Sequence, residues 1–524
     1  MYQVHIHQLE VHKGEQAALR RNVSCYLSIS NSPIRQLPSE LLHDIFLFAA
    51  ASEWNTFGVG ESHTHPCIQI GPPIGTWKST AFTLSSVCTL WRAIALNSPQ
   101  LWSRIAVRVC QRSSEPTRLC TLRSGNHPLS VYIEDHLVDR HTESIDHLLR
   151  HRNRWADINV ENAGSRMPVG LGQYSALPMI KSAVYCGWYE RAKILQRHLA
   201  GSKTLESLTL GFPDAGEGPP YSNYEALPLD RLRHLTARRW GNQAIRKFVN
   251  TLKRCHSLES FTYTNDSEAV VGEMVDWESD SNTYVSSVGG IGEVIEPVVS
   301  PAQTMTVNLH NRAGIYVELG DLFSCLTLPR LKSLNIRGSC NPTEGYADEW
   351  PRAEVEMFLS RSGSGYCSTL TKLSLEGMPL RDFQVLALLR LTPALEDLTI
   401  GEMWTCLTFD PPPDPRKLVQ TATRMLMLEL RSQRSNENAL ASCHPIVSRL
   451  ERLKLRVQAH FDADEVFVDM VKSRWFTPGW LKQLREVELH VLGRALNAKT
   501  YETLKHLDQD GMMITVLGNG QRVV

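Results

Sequence analysis

LESLTL, residues 205–210, sets Leu205, Leu208 and Leu210 in the spacing Leu-x-x-Leu-x-Leu. Its last two apolar positions alternate, as they do in a short strand with one buried face. The template recurs in both directions: LRHLTA at 232–237, LESFTY at 258–263, LKSLNI at 331–336, LTKLSL at 370–375, LEDLTI at 395–400, MLMLEL at 425–430, LERLKL at 450–455 and LREVEL at 484–489. Weaker relatives are LSVYI at 129–133, WADINV at 155–160, IKSAVY at 180–185 and TVNL at 306–309.

Steps between corresponding last strand residues include 25 (375 to 400, 430 to 455) and 27 (210 to 237, 309 to 336), with longer ones of 30, 34 and 39. Helical spacing fills the gaps. NQAIRKFVNTLKRC puts Ile245, Phe248, Val249 and Leu252 on one face, and DEVFVDMVKSRW does the same with Val466, Met470 and Val471. Strand and helix alternating at this period predict an irregular leucine-rich-repeat solenoid: a curved array of short parallel strands with outer helices, of α/β repeat class. One unit cannot bury its apolar side alone, so units must stack. Residues 264–303 interrupt the array with eight Asp or Glu and no Lys or Arg, which predicts an acidic insertion.

The totals exclude several classes of function. Lys plus Arg and Asp plus Glu each number 55, so the formal net charge is zero and nucleic-acid binding is not expected. No apolar run reaches the ~18 to 20 residues of a membrane span, and MYQVHIHQLEVHKGEQ lacks the marks of a secretory signal. The twelve cysteines are scattered without a CxxC pair, which fits reduced thiols in cytoplasm or nucleus. His63, His65 and Cys67 lack a fourth metal ligand at a recognisable spacing, and GVGES at 58–62 lacks the flanks of a phosphate loop or nucleophile elbow. No metal, no cofactor and no catalytic residue is expected. The basic runs 150–154 and 238–240 read as solvated edges of repeats.

Ahead of the array the pattern is different. Residues 1–32 read as an N-terminal helix and linker. PIRQLPSELLHDIF (33–46) predicts a helix with Leu37, Leu41, Leu42, Ile45 and Phe46 on one face. A Gly-, Pro- and Ser-rich loop follows at 52–80. LSSVCTLWRAIA then gives a helix bearing Leu84, Val87, Cys88, Trp91, Ile94 and Ala95, and NSPQLWSRIAV a short one with Leu101, Trp102 and Ile105.

These three pieces, in order, resemble an F-box, which shows a Leu-Pro-x-Glu-Leu/Ile-Leu-x-x-Ile-Phe helix, a Val-Cys-x-x-Trp helix and a closing Leu-Trp. The likeness covers about 33–107. With the irregular repeats behind it, the chain is similar to the expanded F-box families of mushroom-forming fungi. It departs from them in the 52–80 loop, since the first two helices are normally close in sequence.

The resemblance implies a small helical F-box at 33–110, with the repeats at 120–524. It implies a non-catalytic substrate-recognition subunit of an SCF-type ubiquitin ligase. The F-box would dock on a Skp-type adaptor and through it on a cullin-RING complex, while the repeats hold a protein substrate. The expected docking residues are Leu37, Pro38, Leu41, Leu42, Ile45, Phe46, Val87, Trp91 and Trp102, each of which also fits an intramolecular core. Strand alternation points Ser207, Thr209, Ser333, Asn335, Asp397 and Thr399 to the concave face, where substrate contacts are expected. Two alternatives stay open: a scaffold that binds the adaptor without ubiquitin transfer, and an enzyme whose site is assembled from distant residues.

Overall fold

The computed structural model describes residues 33–58, 79–107, 114–134, 142–163, 177–187, 196–211, 227–238, 249, 251–265, 297–310, 315–339, 350–363, 368–378, 380–402, 419–431, 446–476 and 481–524, with isolated positions at 16, 19, 20 and 23. The 52–80 loop from 59 to 78, the acidic stretch from 266 to 296, the SHTHPC run and Arg239-Trp240 lie outside these residues. The chain divides into two units, one made of 1–133 and 139–155, the other of 134–138 and 156–524.

The first unit is mainly helical. A 3-10 turn, Pro33–Gln36, precedes α1 (Ser39–Gly58). Pro38 disfavours helix in the residue before it, so α1 starts afterwards, with Leu42 N–H donating to the Pro38 carbonyl at 3.1 Å. The helix runs past Phe48 to a glycine, taking in the first seven residues (52–58) of the stretch expected to be loop. The single helix expected across Leu84–Ala95 is two, α2 (Thr80–Val87) and α3 (Thr89–Leu96). They break at extended Cys88, whose Sγ accepts from Trp91 N–H at 3.5 Å and so starts the new helix. The next helix, α4 (Pro99–Trp102), stops short of Ile105, which lies instead in strand β1 (Arg104–Val107). Helix α5 (Glu115–Arg123), strand β2 (Leu129–Glu134), parallel to β1, and helix α6 (Thr142–Leu149) complete the unit.

Trp102 lies at the centre of this core. It is fully buried and donates Nε1–H to the Ala95 carbonyl at 2.7 Å. Phe82 meets its ring edge-on at 5.2 Å, and the Arg123 guanidinium lies 4.3 Å from the ring centroid. Ser98 Oγ bonds both the Ile94 carbonyl and His43 Nδ1 at 2.7 Å, tying α1 to the start of α4.

The second unit is a large, mostly parallel sheet with helices and, among the described residues, no closed barrel. Its strands are β3 (Trp155–Ala163), β4 (Ser182–Gly187), β5 (Ser207–Gly211), β6 (His234–Arg238), β7 (Ser260–Asn265), β8 (Val298–Val299), β9 (Thr304–His310), β10 (Leu326–Thr327), β11 (Ser333–Ser339), β12 (Lys372–Glu376), β13 (Asp397–Gly401), β14 (Arg452–Val457), β15 (Glu486–Val491), β16 (Met513–Gly518) and β17 (Gln521–Arg522). Apart from the small β8–β10 pair, they lie side by side in chain order. Among the described strand pairs, only β17 is antiparallel to its neighbour.

Parallel neighbours need a crossover, and the helices among the described residues that supply it are α7 (Ile315–Ser324), α8 (Arg352–Ser362), α9 (Asp382–Leu391), α10 (Arg424–Leu430), α11 (Asp464–Trp475), α12 (Ala498–Tyr501) and α13 (Leu504–Gln509). From α7 to α11 each packs on the next. No described helix is long and apolar enough to cross a membrane.

Register is what makes the template repeat. Just before β4–β7, β9 and β11–β15, a backbone N–H donates across to the preceding turn at 2.7–2.9 Å, as in Glu206 to Lys181, Arg233 to Glu206, Lys332 to Gln303 and Arg485 to Glu451. From β4 to β15 the long strands therefore stack without slippage, whereas β3 shifts register against β4 between Glu161 and Ala163. Leu208, Leu235, Phe261, Met305, Leu334, Leu373, Leu398, Leu453 and Val487 form one buried column, and Leu210, Ala237, Tyr263, Val307, Ile336, Leu375, Ile400, Leu455 and Leu489 the next.

One template does not hold. MLMLEL is helix α10, and β13 pairs directly with β14, 55 residues on. Met, Leu and Glu favour helix and the run has no β-branched residue. Thr423 caps it by accepting from Leu426 N–H at 3.4 Å, and Leu426, Met427 and Leu430 form the buried face.

Gly377 shows how close these strands come. Its φ is +64°, and a Cβ there would lie 1.9 Å from the Gly338 carbonyl oxygen. Gly377→Ala is expected to cost about 3 kcal/mol or more, combining a left-handed penalty with a backbone clash. Denaturant titration of the full chain measures it, and a loss under about 1 kcal/mol would contradict this account.

Candidate functional site

Two surfaces carry the expected site residues, one in each unit. In the first, α1 has apolar residues on two opposite faces. Leu42, Phe46 and Ala50, spaced i, i+4, i+8, are buried, while Leu41, Ile45 and Phe48 stand 50%, 44% and 77% exposed. The helices packed on α1 add exposed Val87, Leu90 and Leu96.

This divides the expected docking residues. Leu41, Ile45, Val87 and Pro38 are exposed, and Leu37 is half-buried. Leu42, Phe46 and Trp102 are core of the unit itself, which corrects their expected place at an interface. Trp91 is half-buried, its ring 4.9 Å from Phe46. Sequence reading missed Phe48, Leu90 and Leu96. The break at Cys88 hides the last two, because a continuous helix would put Leu90 off the Val87–Trp91 stripe.

In the second unit, the six polar strand residues lie on one sheet face, opposite the leucine columns, but on separate strands, with β6, β7 and β9 between β5 and β11 and β12 between β11 and β13. Ser207, Ser333 and Asp397 share one column with His234, Ser260, Thr304, Lys372, Arg452 and Glu486. Thr209, Asn335 and Thr399 share the next with Thr236, Thr262, Thr306, Ser374, Lys454 and Glu488. Thr209 and Asp397 are buried, the other four half-buried.

The character of this face changes along the array. From β5 to β11 hydroxyls and amides predominate, with arginines only in the last column, Arg238 on β6 and Arg337 on β11: Asn335 Nδ2 donates to Thr306 Oγ1 at 3.3 Å and Asn308 Nδ2 to Thr264 Oγ1 at 3.2 Å. From β12 to β15 it is an ion-pair lattice. Asp397 Oδ2 lies 3.1 Å from Arg452 Nε and 3.5 Å from Lys372 Nζ. Lys454 Nζ reaches Glu486 at 2.8 Å and Glu488 at 2.9 Å, and these bonds raise its pKa. Glu376 lies between Arg337 at 3.7 Å and Arg456 at 3.6 Å.

Beside the lattice, buried Glu402 accepts from the backbone N–H groups of Thr421, Ala422 and Gln458, each at 3.0 Å, and pins three chain segments together. Strand alternation identifies the face but not these neighbours. Which charges meet depends on register between residues 25 to 55 positions apart.

The basic run 150–154 turns inward in part. Arg154 donates to the His127 carbonyl and Ser124 Oγ at 2.8 Å, and Arg152 to the Leu149 carbonyl at 3.4 Å. Nearby, His147 Nε2 lies 2.7 Å from Thr121 Oγ1, with the His151 ring 5.2 Å from its own. Burial, then the neighbouring positive charges, lower both histidine pKa values.

The unfolded chain therefore binds the more protons near its ordinary histidine value, ~6.5. The stability these residues contribute is present above that pH and lost as pH falls through the lower folded values. Thermal midpoints recorded from pH 8 to 5 are expected to fall below about pH 6.5, with a shallower fall in His147→Gln/His151→Gln. Equal slopes for both proteins would assign the effect elsewhere.

Among the described residues, no group of three or more His, Cys, Asp or Glu side chains could hold a metal ion. No family model matches the chain. No curated protein matches it significantly.

Proposed function

We propose that the chain is the non-catalytic substrate-recognition subunit of an SCF-type ubiquitin ligase. Residues 33–110 are an F-box that docks on a Skp-type adaptor, and through it on a cullin-RING complex, in cytoplasm or nucleus. The parallel array is a leucine-rich-repeat solenoid whose polar strand face holds a protein substrate.

The observation that carries the reading is the second apolar face of α1. A soluble helix normally has one apolar stripe, turned to its core. Here Leu42, Phe46 and Ala50 already provide that stripe, yet Leu41, Ile45 and Phe48 add another in water, with Val87 and Leu90 on helices packed against α1. Exposed apolar surface on so small a unit is typical of a partner site. The helix-in-groove mode suits it, with anchors at i, i+4 and i+7.

The strand face supports the other half of the proposal. The neutral threonine and asparagine columns give a polypeptide hydroxyl and amide partners, and the charged lattice beyond them gives it fixed charges of both signs.

Affinity purification of the full chain from cells with the proteasome blocked tests the assignment. Recovery of both adaptor and cullin is expected. Adaptor alone would make the protein a scaffold without ubiquitin transfer, and the absence of both would refute the F-box.

A further inference from the structure

On β11 to β14 the polar strand face holds two carboxylates, each set between two cations. Asp397 lies between Lys372 at 3.5 Å and Arg452 at 3.1 Å, and these three residues share one column. Glu376 lies between Arg337 at 3.7 Å and Arg456 at 3.6 Å in another. Gly401 stands opposite Glu376 on β13 and has no side chain, so Arg456 on β14 meets Glu376 across it. Uncharged Ser374 and Thr399 lie between the two columns.

Four cations against two carboxylates leave a surplus of two positive charges, and the surplus is outermost. The carboxylates are sunk, with side chains 8% exposed in Asp397 and 27% in Glu376, while the four cationic side chains are 42–49% exposed. The field over this patch is therefore positive. Among the described residues Arg452 donates only through Nε, to Asp397, which leaves its terminal Nη groups for a ligand carboxylate. Lys454 is engaged by Glu486 and Glu488, so acidic β15 bounds the patch on that side.

The two columns are four residues apart along each strand, about 13 Å at ~3.3 Å per residue. An extended peptide has the same rise, and its residues i and i+4 point to one side. Lying along the strands, it would set acidic side chains four apart on the two cation pairs, with its middle residue over Ser374 and Thr399.

We propose that this patch selects protein substrates by an extended acidic segment with carboxylates four residues apart, one held by Lys372 and Arg452 and the other by Arg337 and Arg456. The assignment rests on the reading of this face as the substrate-holding surface and names the class of substrate it takes.

Fluorescence anisotropy of the full chain with fluorescein-labelled Glu-Thr-Ser-Thr-Glu, amidated at its C-terminus, tests it. Saturation is expected below about 1 mM at ~0.15 M salt. The isomer Glu-Glu-Thr-Ser-Thr, of equal charge, cannot reach both cation pairs and should bind about fivefold or more weakly; Gln-Thr-Ser-Thr-Gln should bind about tenfold or more weakly. Arg452→Gln/Arg456→Gln should weaken the first peptide about tenfold or more. Asp397 keeps Lys372 and Glu376 keeps Arg337 in that variant, so its melting temperature should shift little. Should it fail to fold, the three titrations of the unaltered chain still decide. The proposal is overturned if the first peptide does not saturate by about 1 mM, if its isomer binds equally well, or if the folded double variant keeps full affinity. Recovery of adaptor and cullin is scored separately. A chain that recovers both but ignores the peptide would lose this substrate class alone, whereas one that binds the peptide without adaptor would keep the acidic-segment site and lose the ligase reading.

Discussion

A chain carrying Leu41→Asp and Ile45→Asp is expected to lose adaptor capture by about a thousandfold or more while keeping its melting temperature. Both side chains are about half exposed in the free protein, so replacing them removes little core. At an interface each would be an apolar anchor, and two hot spots at about 2 kcal/mol apiece make roughly 4 kcal/mol, near three decades in Kd. A carboxylate forced into an apolar groove adds a desolvation cost on top.

The same helix provides the control. Phe46→Ala, one residue along, should cost about 3–5 kcal/mol of stability because Phe46 is 1% exposed and packs on Trp91. Binding by surface capture and melting by calorimetry separate the two outcomes. Unchanged capture in the double variant would remove α1 as the docking helix; a melting loss comparable to that of Phe46→Ala would make its exposed face structural.

Arg474→Ala is expected to destabilise the second unit by about 4 kcal/mol, without touching any exposed surface. Arg474, near the end of α11, is fully buried and has no ion-pair partner among the described residues. Its guanidinium donates instead to three carbonyls: Nε to Leu430 at 2.6 Å, Nη2 to Ile446 at 2.7 Å and Nη1 to Val447 at 3.1 Å. Leu430 ends α10, where a helix leaves its carbonyls without intrahelical donors. Val447 sits at φ +53°, a conformation costly for a β-branched residue, and the arginine holds its carbonyl.

Burial lowers the Arg474 pKa to about 10, so the group stays charged at neutral pH. Truncation relieves that desolvation but strands three buried acceptors at about 1–3 kcal/mol each, and the second effect is larger. Lysine cannot reach all three from one nitrogen, so Arg474→Lys should recover at most about 1 kcal/mol. Hydrogen exchange across 424–457 reads the change where it occurs, since repeat arrays open locally. A loss below about 1 kcal/mol would show the fork to be dispensable.

The parallel array was legible because one residue type recurs in a fixed local frame. Leu208 and Leu210, or Leu373 and Leu375, are buried for the same reason in each strand, so alternation read along a few residues locates both faces. Where the frame was ambiguous the reading failed. MLMLEL satisfies the strand template and a helical stripe equally, and only its helix-forming composition and the Thr423 cap separate them. Strands β1 and β16 went unread because RIAV follows a helix start and MITVLG lacks the leading leucine.

The sites were less legible than the fold. Spacing identified α1 as apolar but merged its two faces, since Leu41–Ile45 and Leu42–Phe46 repeat with the same period one residue apart. Only packing shows which pair the protein covers itself.

By itself, then, the sequence determined periodic matters: strand, helix and the alternation of faces. Each follows from side chains a few residues apart on a backbone of known rise and twist. The tertiary structure alone decided which apolar residues stay in water, which charges pair across β12–β15 and which polar groups go unmet. Those depend on register and packing between residues far apart in the chain, where burial sets the free energy and no local pattern records it.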